Sequence, residues 1–243
     1  LSIGEERDFI LRRKSNKNEK IKLCLSNGDL LIMGEKIQEL CGKVKDSKIA
    51  SVCVRPEWVK AAKDCLGDTD IKICTVLNYP HGEDSNEEVA EAGRQAVANG
   101  AEELDVVVPY DVLPYDEGFA IKTMISDLVE SCPKTTIKAI IETGALKSRA
   151  DIIKAAGAAA SGGADFIKTS TGATEIGATP EAVEAILDFM NMYPGKIGIK
   201  ISGGVSSPEI AAKYWDQAEK VMGSHWCHKK RFRLGSSGLF EKI

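Results

Sequence analysis

Short apolar runs of strong β character alternate with longer stretches of helical period from about residue 20 to the end of the chain. Eight runs read as strands: Ile21–Ser26, Ile49–Val54, Ile71–Tyr79, Glu103–Tyr110, Thr136–Gly144, Asp165–Gly172, Lys196–Gly204 and Arg231–Gly238. Between them, apolar positions recur at helical spacing over about 35–45, 57–66, 86–99, 116–132, 149–162, 180–192 and 208–222. Local start and stop signals agree with these spans. Ser85-Asn86-Glu87-Glu88 has the spacing of a capping box, Pro56, Pro180 and Pro208 stand where a first helical residue would, and Gly162-Gly163 closes an Ala-rich helix end. Residues 3–14 read as one further helix, within an N-terminal helical extension over residues 1–20.

Strands that alternate with helices predict βα units and a parallel sheet. Eight of them in a chain of 243 residues fit a single (β/α)₈ barrel domain spanning 1–243. An open doubly wound sheet is the rival, disfavoured by the strand count and by the lack of a GxGxxG turn after an early strand. In a barrel the outer strand face meets the helices, so alternation along each strand sorts side chains into outside and inside. Strand Ile197–Ser202 has its three isoleucines on one face and Gly198, Lys200 and Ser202 on the other. Likewise Phe166, Lys168 and Ser170 oppose Ile167 and Thr169, Asp105 opposes Leu104, Val106 and Val108, and Lys138 and Glu142 oppose Ile137, Ala139 and Ile141. Asp105, Lys138, Glu142, Lys168 and Lys200 are thus expected in one interior. Packing alone gives no reason for such a cluster, since charged groups are rarely buried without a partner or a task.

Two close lysines suit carbonyl chemistry. A lysine with its ordinary pKa near 10.4 is neutral in only about one molecule in a few thousand at pH 7. Burial and a neighbouring ammonium both favour the neutral amine, which can attack a carbonyl and form a Schiff base. An inward Asp105 could then pass protons through a water; which lysine attacks is left open by strand alternation. The strand ends carry Thr171-Gly172, Gly203-Gly204-Val205 and Gly235-Ser236-Ser237-Gly238. Glycine-rich loops at this rim of a barrel, next to helix N-termini, bind phosphate through backbone N–H groups. A phosphorylated carbonyl compound is the implied substrate.

Composition narrows the reading by exclusion. A net charge of -4, with 32 basic and 36 acidic residues in no long single-sign run, leaves no electrostatic footprint for nucleic acid or a membrane surface. Seven cysteines without a CxxC pair argue against a disulfide framework or zinc site, and no metal triad is evident, which disfavours a zinc-dependent aldolase. With no leader-like segment and no apolar stretch of roughly 20 residues, the expected location is cytoplasmic. His81, His225 and His228 lack ligand spacing, and Trp58, Trp215 and Trp226 read as helix packing. Cys53 lines the expected interior, where a buried structural thiol is the common case.

Six motifs in order resemble the deoxyribose-phosphate aldolase family from about residue 35 to 240: "TVLNYPHG" (75–82), "GAEELDVVVPY" (100–110), "IKAIIETGAL" (137–146), "GADFIKTSTG" (163–172), "GIKISGGV" (198–205) and "RLGSSG" (233–238). The resemblance implies a class I aldolase on a (β/α)₈ barrel that reversibly cleaves 2-deoxy-D-ribose 5-phosphate to D-glyceraldehyde 3-phosphate and acetaldehyde, with no cofactor. It implies that Lys168 forms the Schiff base, that Lys200 lowers its pKa, and that Asp105 serves the proton relay. By the same resemblance Thr171 lies beside the substrate hydroxyls, phosphate rests on Gly172, Gly203, Gly204, Gly235, Ser236 and Ser237, and the protein is a homo-oligomer, a dimer or tetramer. Lys138, Glu142 and Cys53 are supporting candidates. Three departures stand out: Leu23-Cys24-Leu25-Ser26-Asn27 replaces the family's first-strand aspartate and hydroxyls, Ala173 stands where some relatives have a cation, and only five residues follow Gly238, so the last helix is short or missing. A phosphate-ligand-binding barrel with lost or reduced turnover, or another Schiff-base sugar-phosphate aldolase, are the alternatives.

Overall fold

Parallel strands pair side by side around a complete ring in the computed structural model, which describes residues 9–12, 20–23, 28–32 and 37–236. Two strands, β1 (Phe9–Arg12) and β2 (Lys20–Leu23), form an antiparallel ribbon ahead of it. The ring then runs β3 (Gly28–Ile32), α1 (Ile37–Val44), β4 (Ser51–Val54), α2 (Val59–Leu66), β5 (Lys72–Leu77), α3 (Asn86–Ala98) and β6 (Glu103–Val107). It continues through the short α4 (Leu113–Asp116), α5 (Phe119–Ser131), β7 (Thr136–Ile140), α6 (Arg149–Gly162), β8 (Phe166–Lys168), α7 (Pro180–Met192), β9 (Gly198–Ser202), α8 (Pro208–Met222) and β10 (Phe232–Ser236). Strand β10 pairs with both β9 and β3, which closes the eight-stranded barrel. The expected (β/α)₈ architecture is the observed one.

Local chemistry explains the element ends. Ser85 caps α3 in the expected capping box, its hydroxyl accepting from Glu88 N while the Glu88 carboxylate accepts from Ser85 N at 2.9 Å. Thr179 and Ser207 cap α7 and α8, with Pro180 and Pro208 in the first turn, where their missing N–H costs nothing. Such a cap contributes about 1 kcal/mol. Gly163, at φ +100°, closes α6, and a side chain on Gly162 would come within 2.6 Å of the Lys122 carbonyl of α5. The Ala/Gly-rich helix end is therefore small so that α6 can lie close against α5.

Two expectations for the N-terminal part need correction. Residues 9–12 are strand rather than helix: Phe-Ile-Leu-Arg is rich in β-favouring residues and finds a ladder partner in residues 20–23. The first barrel strand is Gly28–Ile32, and Lys20–Leu23, which overlaps the expected first strand, belongs to the ribbon. The reason lies in pairing: Gly28–Ile32 finds parallel ladder partners in β4 and β10, whereas Lys20–Leu23 pairs with residues 9–12. Residues 3–8 and 13–14 of the expected helix, Cys24 to Ser26, and the residues after Ser236, where a short or missing last helix was expected, lie outside the described residues.

The alternation along the strands sorts the core into two parts. Val52, Val54, Ile73, Leu104, Val106, Ile137, Ala139, Ile167, Ile199, Ile201 and Phe232 join the apolar shell packed under the helices. Trp215 meets Phe232 edge-on from α8, in keeping with its reading as helix packing. Cys53, Cys74 and Val76 form a separate interior group. Among the described residues no helix is long and apolar enough to cross a membrane.

Candidate active site

The barrel interior is charged. Asp105 stands at the centre of β6, directly beside Lys138 of β7 in the strand register, while Lys168 ends β8 directly beside Lys200 of β9. All four residues are at most 3% exposed. Lys168 Nζ and Lys200 Nζ each donate to Asp105 Oδ2 at 2.7 Å, and Lys138 Nζ donates to Asp105 Oδ1 at 2.8 Å. Burial alone would raise the Asp105 carboxyl, but Lys138, Lys168 and Lys200 together hold it well below the usual carboxylate range. Asp105 is thus a carboxylate whose charge three lysines share.

A second carboxylate continues the chain of charges. Lys138 also lies 2.7 Å from Glu103 Oε2, and Arg233 Nη2 of the last strand donates to Glu103 Oε1 at 3.1 Å. The Arg233 guanidinium stacks over the Phe166 ring at 5.5 Å. Room for that ring comes from Gly198, where an added Cβ would sit 2.5 Å from it. Cys74 of β5 completes the surroundings of Asp105: its thiol donates to Oδ1 at 3.1 Å and accepts from Lys138 Nζ at 3.3 Å.

At the rim, Glu142 follows β7 with φ +48°, a left-handed conformation uncommon outside glycine. Its buried carboxylate accepts from the Thr171 backbone N–H at 3.1 Å, from the Thr171 hydroxyl, and from the Thr174 hydroxyl at 3.1 Å. The loop after β8 is therefore bolted to the end of β7. Gly172, Gly203 and Gly204 all have positive φ, between 79° and 88°, and nothing lies within 4 Å of a Cβ added at Gly204. Those turns bring bare backbone to the rim beside Lys168, and Gly235 and Ser236 end β10 next to them.

Of the five residues that strand alternation groups in one interior, Asp105, Lys138, Lys168 and Lys200 meet there, whereas Glu142 sits at the rim after β7, bonded to the loop after β8. Cys53 faces inward on β4, opposite Cys74. Thr171, Gly172, Gly203, Gly204, Gly235 and Ser236 gather at the C-terminal ends of β8, β9 and β10, whereas Ser237 lies outside the described residues. The sequence reading missed Glu103, Arg233 and Cys74. The same alternation carries all three, since Glu103 lies two residues before Asp105, Arg233 sits between outward Phe232 and Leu234, and Cys74 follows outward Ile73.

Chemically, the arrangement offers a buried primary amine at the mouth of a barrel, a second amine on the same carboxylate oxygen, and open glycine turns within one loop of both. This equipment suits reversible addition of an amine to a carbonyl. Residues 16–224 match the model of a family described as DeoC/LacD family aldolase. A candidate deoxyribose-phosphate aldolase from Toxoplasma gondii is 26% identical, with a TM-score of 0.79, and the match covers 89% of each chain. Another from Coccidioides immitis is 26% identical with a TM-score of 0.80, over 90% of this chain and 84% of that one. A protein described as "QR15, an Aldolase" is 29% identical with a TM-score of 0.74, over 89% and 92% of the two chains.

Proposed function

The chain belongs to the DeoC/LacD family of aldolases, and from that premise we propose that it is a class I aldolase that cleaves 2-deoxy-D-ribose 5-phosphate reversibly into D-glyceraldehyde 3-phosphate and acetaldehyde. The observation that carries the reading is the pair of lysines on one carboxylate oxygen, each at 2.7 Å, at the mouth of the barrel. Lys168 is the nucleophile in this proposal by resemblance to the family's GADFIKTSTG motif, its direct register partner Lys200 being the second amine on the same oxygen.

The charge balance of the reaction suits this cluster. Lys168 must surrender a proton before its nitrogen attacks the C1 aldehyde, and that proton returns when the carbinolamine loses water. The ammonium and the iminium that replaces it carry the same single charge, so Asp105 keeps a cation opposite Oδ2 on both sides of the step. A base then takes the proton from the C3 hydroxyl, the C2–C3 bond breaks, and its electrons flow into the iminium to leave an enamine. Asp105, with Lys200 beside it, is the group placed to pass these protons through a water. The fixed carboxylate and ammoniums need no reorganisation as charge moves, which is where buried sites gain most.

In this proposal the phosphate rests on the turns at Gly172, Gly203 and Gly204 and on the end of β10 at Gly235 and Ser236, with the N-terminus of α8 adding its dipole, and Ser237, outside the described residues, is the further candidate. Thr171, held by Glu142, fixes the loop beside the substrate hydroxyls. An assay of deoxyribose 5-phosphate cleavage tests the function. It is expected to release acetaldehyde and glyceraldehyde 3-phosphate in equal amounts, at a rate unchanged by a chelator. Faster cleavage of a longer sugar phosphate in the same panel would move the reading to another substrate of the same chemistry, and binding without any cleavage would overturn it.

A further inference from the structure

Two cysteines stand side by side inside the barrel with no part in the chemistry above. Cys53 of β4 and Cys74 of β5 are direct partners in the parallel register, and both side chains are buried in the interior group with Val76, packed against Tyr79. Their sulfurs and a carboxylate oxygen of Asp105 all lie within 4.8 Å of one another. Neighbouring strands run about 4.8 Å apart, inside the roughly 4.4–6.8 Å over which a disulfide joins two Cα atoms, so a bond needs side-chain rotation and no change of fold.

Sulfur and carboxylate together resemble a metal site, but the charges oppose it. Both Asp105 oxygens already accept from ammonium groups, and a divalent cation would join Lys138, Lys168 and Lys200 at the same point. Joining the sulfurs adds no charge. We infer that Cys53 and Cys74 form an oxidant-sensitive modification site, in which hydrogen peroxide converts the two thiols to a disulfide beside the lysine cluster.

The chemistry balances in two steps. The Cys53 sulfur attacks the O–O bond of the peroxide and takes one oxygen to become a sulfenic acid, while the departing hydroxide takes up the Cys53 proton and leaves as water. Cys74 then attacks that sulfur, the S–O bond breaks, and the Cys74 proton combines with the departing hydroxide. Two thiols and one peroxide become one disulfide and two waters. The surroundings assign the roles. The adjacent Cys74 side chain, with Lys200 and Lys168 nearby, pulls the Cys53 thiol below its ordinary value despite burial and the Asp105 charge, whereas burial pushes Cys74 well up. Elsewhere burial pushes Cys41, beside Cys65 across α1 and α2, up to about 11, and Cys227 up to about 12. Those are poor nucleophiles. Peroxide is smaller than any sugar phosphate, and Cys53 lines the same interior as Lys168.

The bond also reaches the catalytic groups. It removes the S–H that Cys74 donates to Asp105 at 3.1 Å and draws its sulfur from Lys138. Loss of turnover on oxidation follows, a consequence that rests on the aldolase reading, whereas the bond itself does not. Reduced protein is treated with hydrogen peroxide, then mapped by mass spectrometry, with dimedone present to trap sulfenic acid. The expected product is a Cys53–Cys74 cross-linked peptide pair lacking two hydrogens, with dimedone on Cys53 only in Cys74→Ser and Cys74→Ala. Cleavage activity is expected to fall at least tenfold and to return with dithiothreitol, while in Cys74→Ala dithiothreitol does not return what peroxide removes through dimedone-capped Cys53. A cross-link at Cys41–Cys65 instead, or dimedone on Cys53 of the unaltered chain as heavily as in the variants, would overturn the site. A cross-link at full activity would overturn its link to turnover, and if no aldolase activity exists the peptide map still decides the modification.

Discussion

Asp105 and Glu142 are both carboxylates with no exposed surface, both in the same barrel, yet their neighbours differ in kind. Asp105 faces three ammonium groups; Glu142 faces a backbone N–H and two hydroxyls. The first arrangement stores charge that a reaction can use. The second uses both oxygens to fix a loop, and its left-handed backbone at φ +48° marks how firmly that corner is held. The contrast separates a group that works by its charge from one that works by its position, and substitution can test that separation.

The largest effect is expected from Asp105→Asn. It keeps the shape and deletes the shared anion, leaving buried ammoniums uncompensated, so stability should fall by roughly 3–5 kcal/mol in urea unfolding. Turnover should fall by on the order of 10²–10⁴. Next comes Lys200→Met, with turnover down about 10²-fold but stability held or raised by about 1–2 kcal/mol, because one excess cation leaves the interior. If both variants lost stability alike, the shared-anion account of Asp105 would be wrong.

A pH series sharpens the same contrast. Lysines hold the Asp105 pKa well below its unfolded value, so its contribution is fully present above the ordinary carboxylate range near 4 and is lost as pH falls below it. The urea midpoint of the unaltered chain should therefore drop between about pH 4 and the acid limit more steeply than that of Asp105→Asn; parallel curves would count against it. The smallest effect belongs to Glu142→Gln. It retains an acceptor for Thr171, costs about 1–3 kcal/mol, and should raise KM while kcat changes less than about tenfold. A collapse of kcat with KM unchanged would put Glu142 in the chemistry instead.

Much of this site was legible before any coordinates, because alternation along a strand is a local property. Leu104 and Val106 outside force Asp105 inside, and the isoleucines of β9 do the same for Lys200. What alternation does not carry is pairing across the chain. Arg233 meets Glu103 across 130 residues, and only barrel closure brings them together. Glu103 opens its strand, a position where a charge reads as solvent-facing. Cys74 reads as one more apolar residue in Ile-Cys-Thr-Val until Asp105 and Lys138 stand against it. The first barrel strand was misplaced for a related reason: residues 21–26 and 28–32 both have β character, and the choice between them depends on which one β10 and β4 can pair.

The central claim is that Lys168, and not Lys200, carries the substrate. Sodium borohydride added to the protein with acetaldehyde reduces any Schiff base to a stable secondary amine, and a peptide map locates it. The account predicts an N-ethyl group on Lys168, absent without the aldehyde and absent in Lys168→Ala, with cleavage lost in that variant. Modification of Lys200 in place of Lys168, or full cleavage by Lys168→Ala, would contradict it.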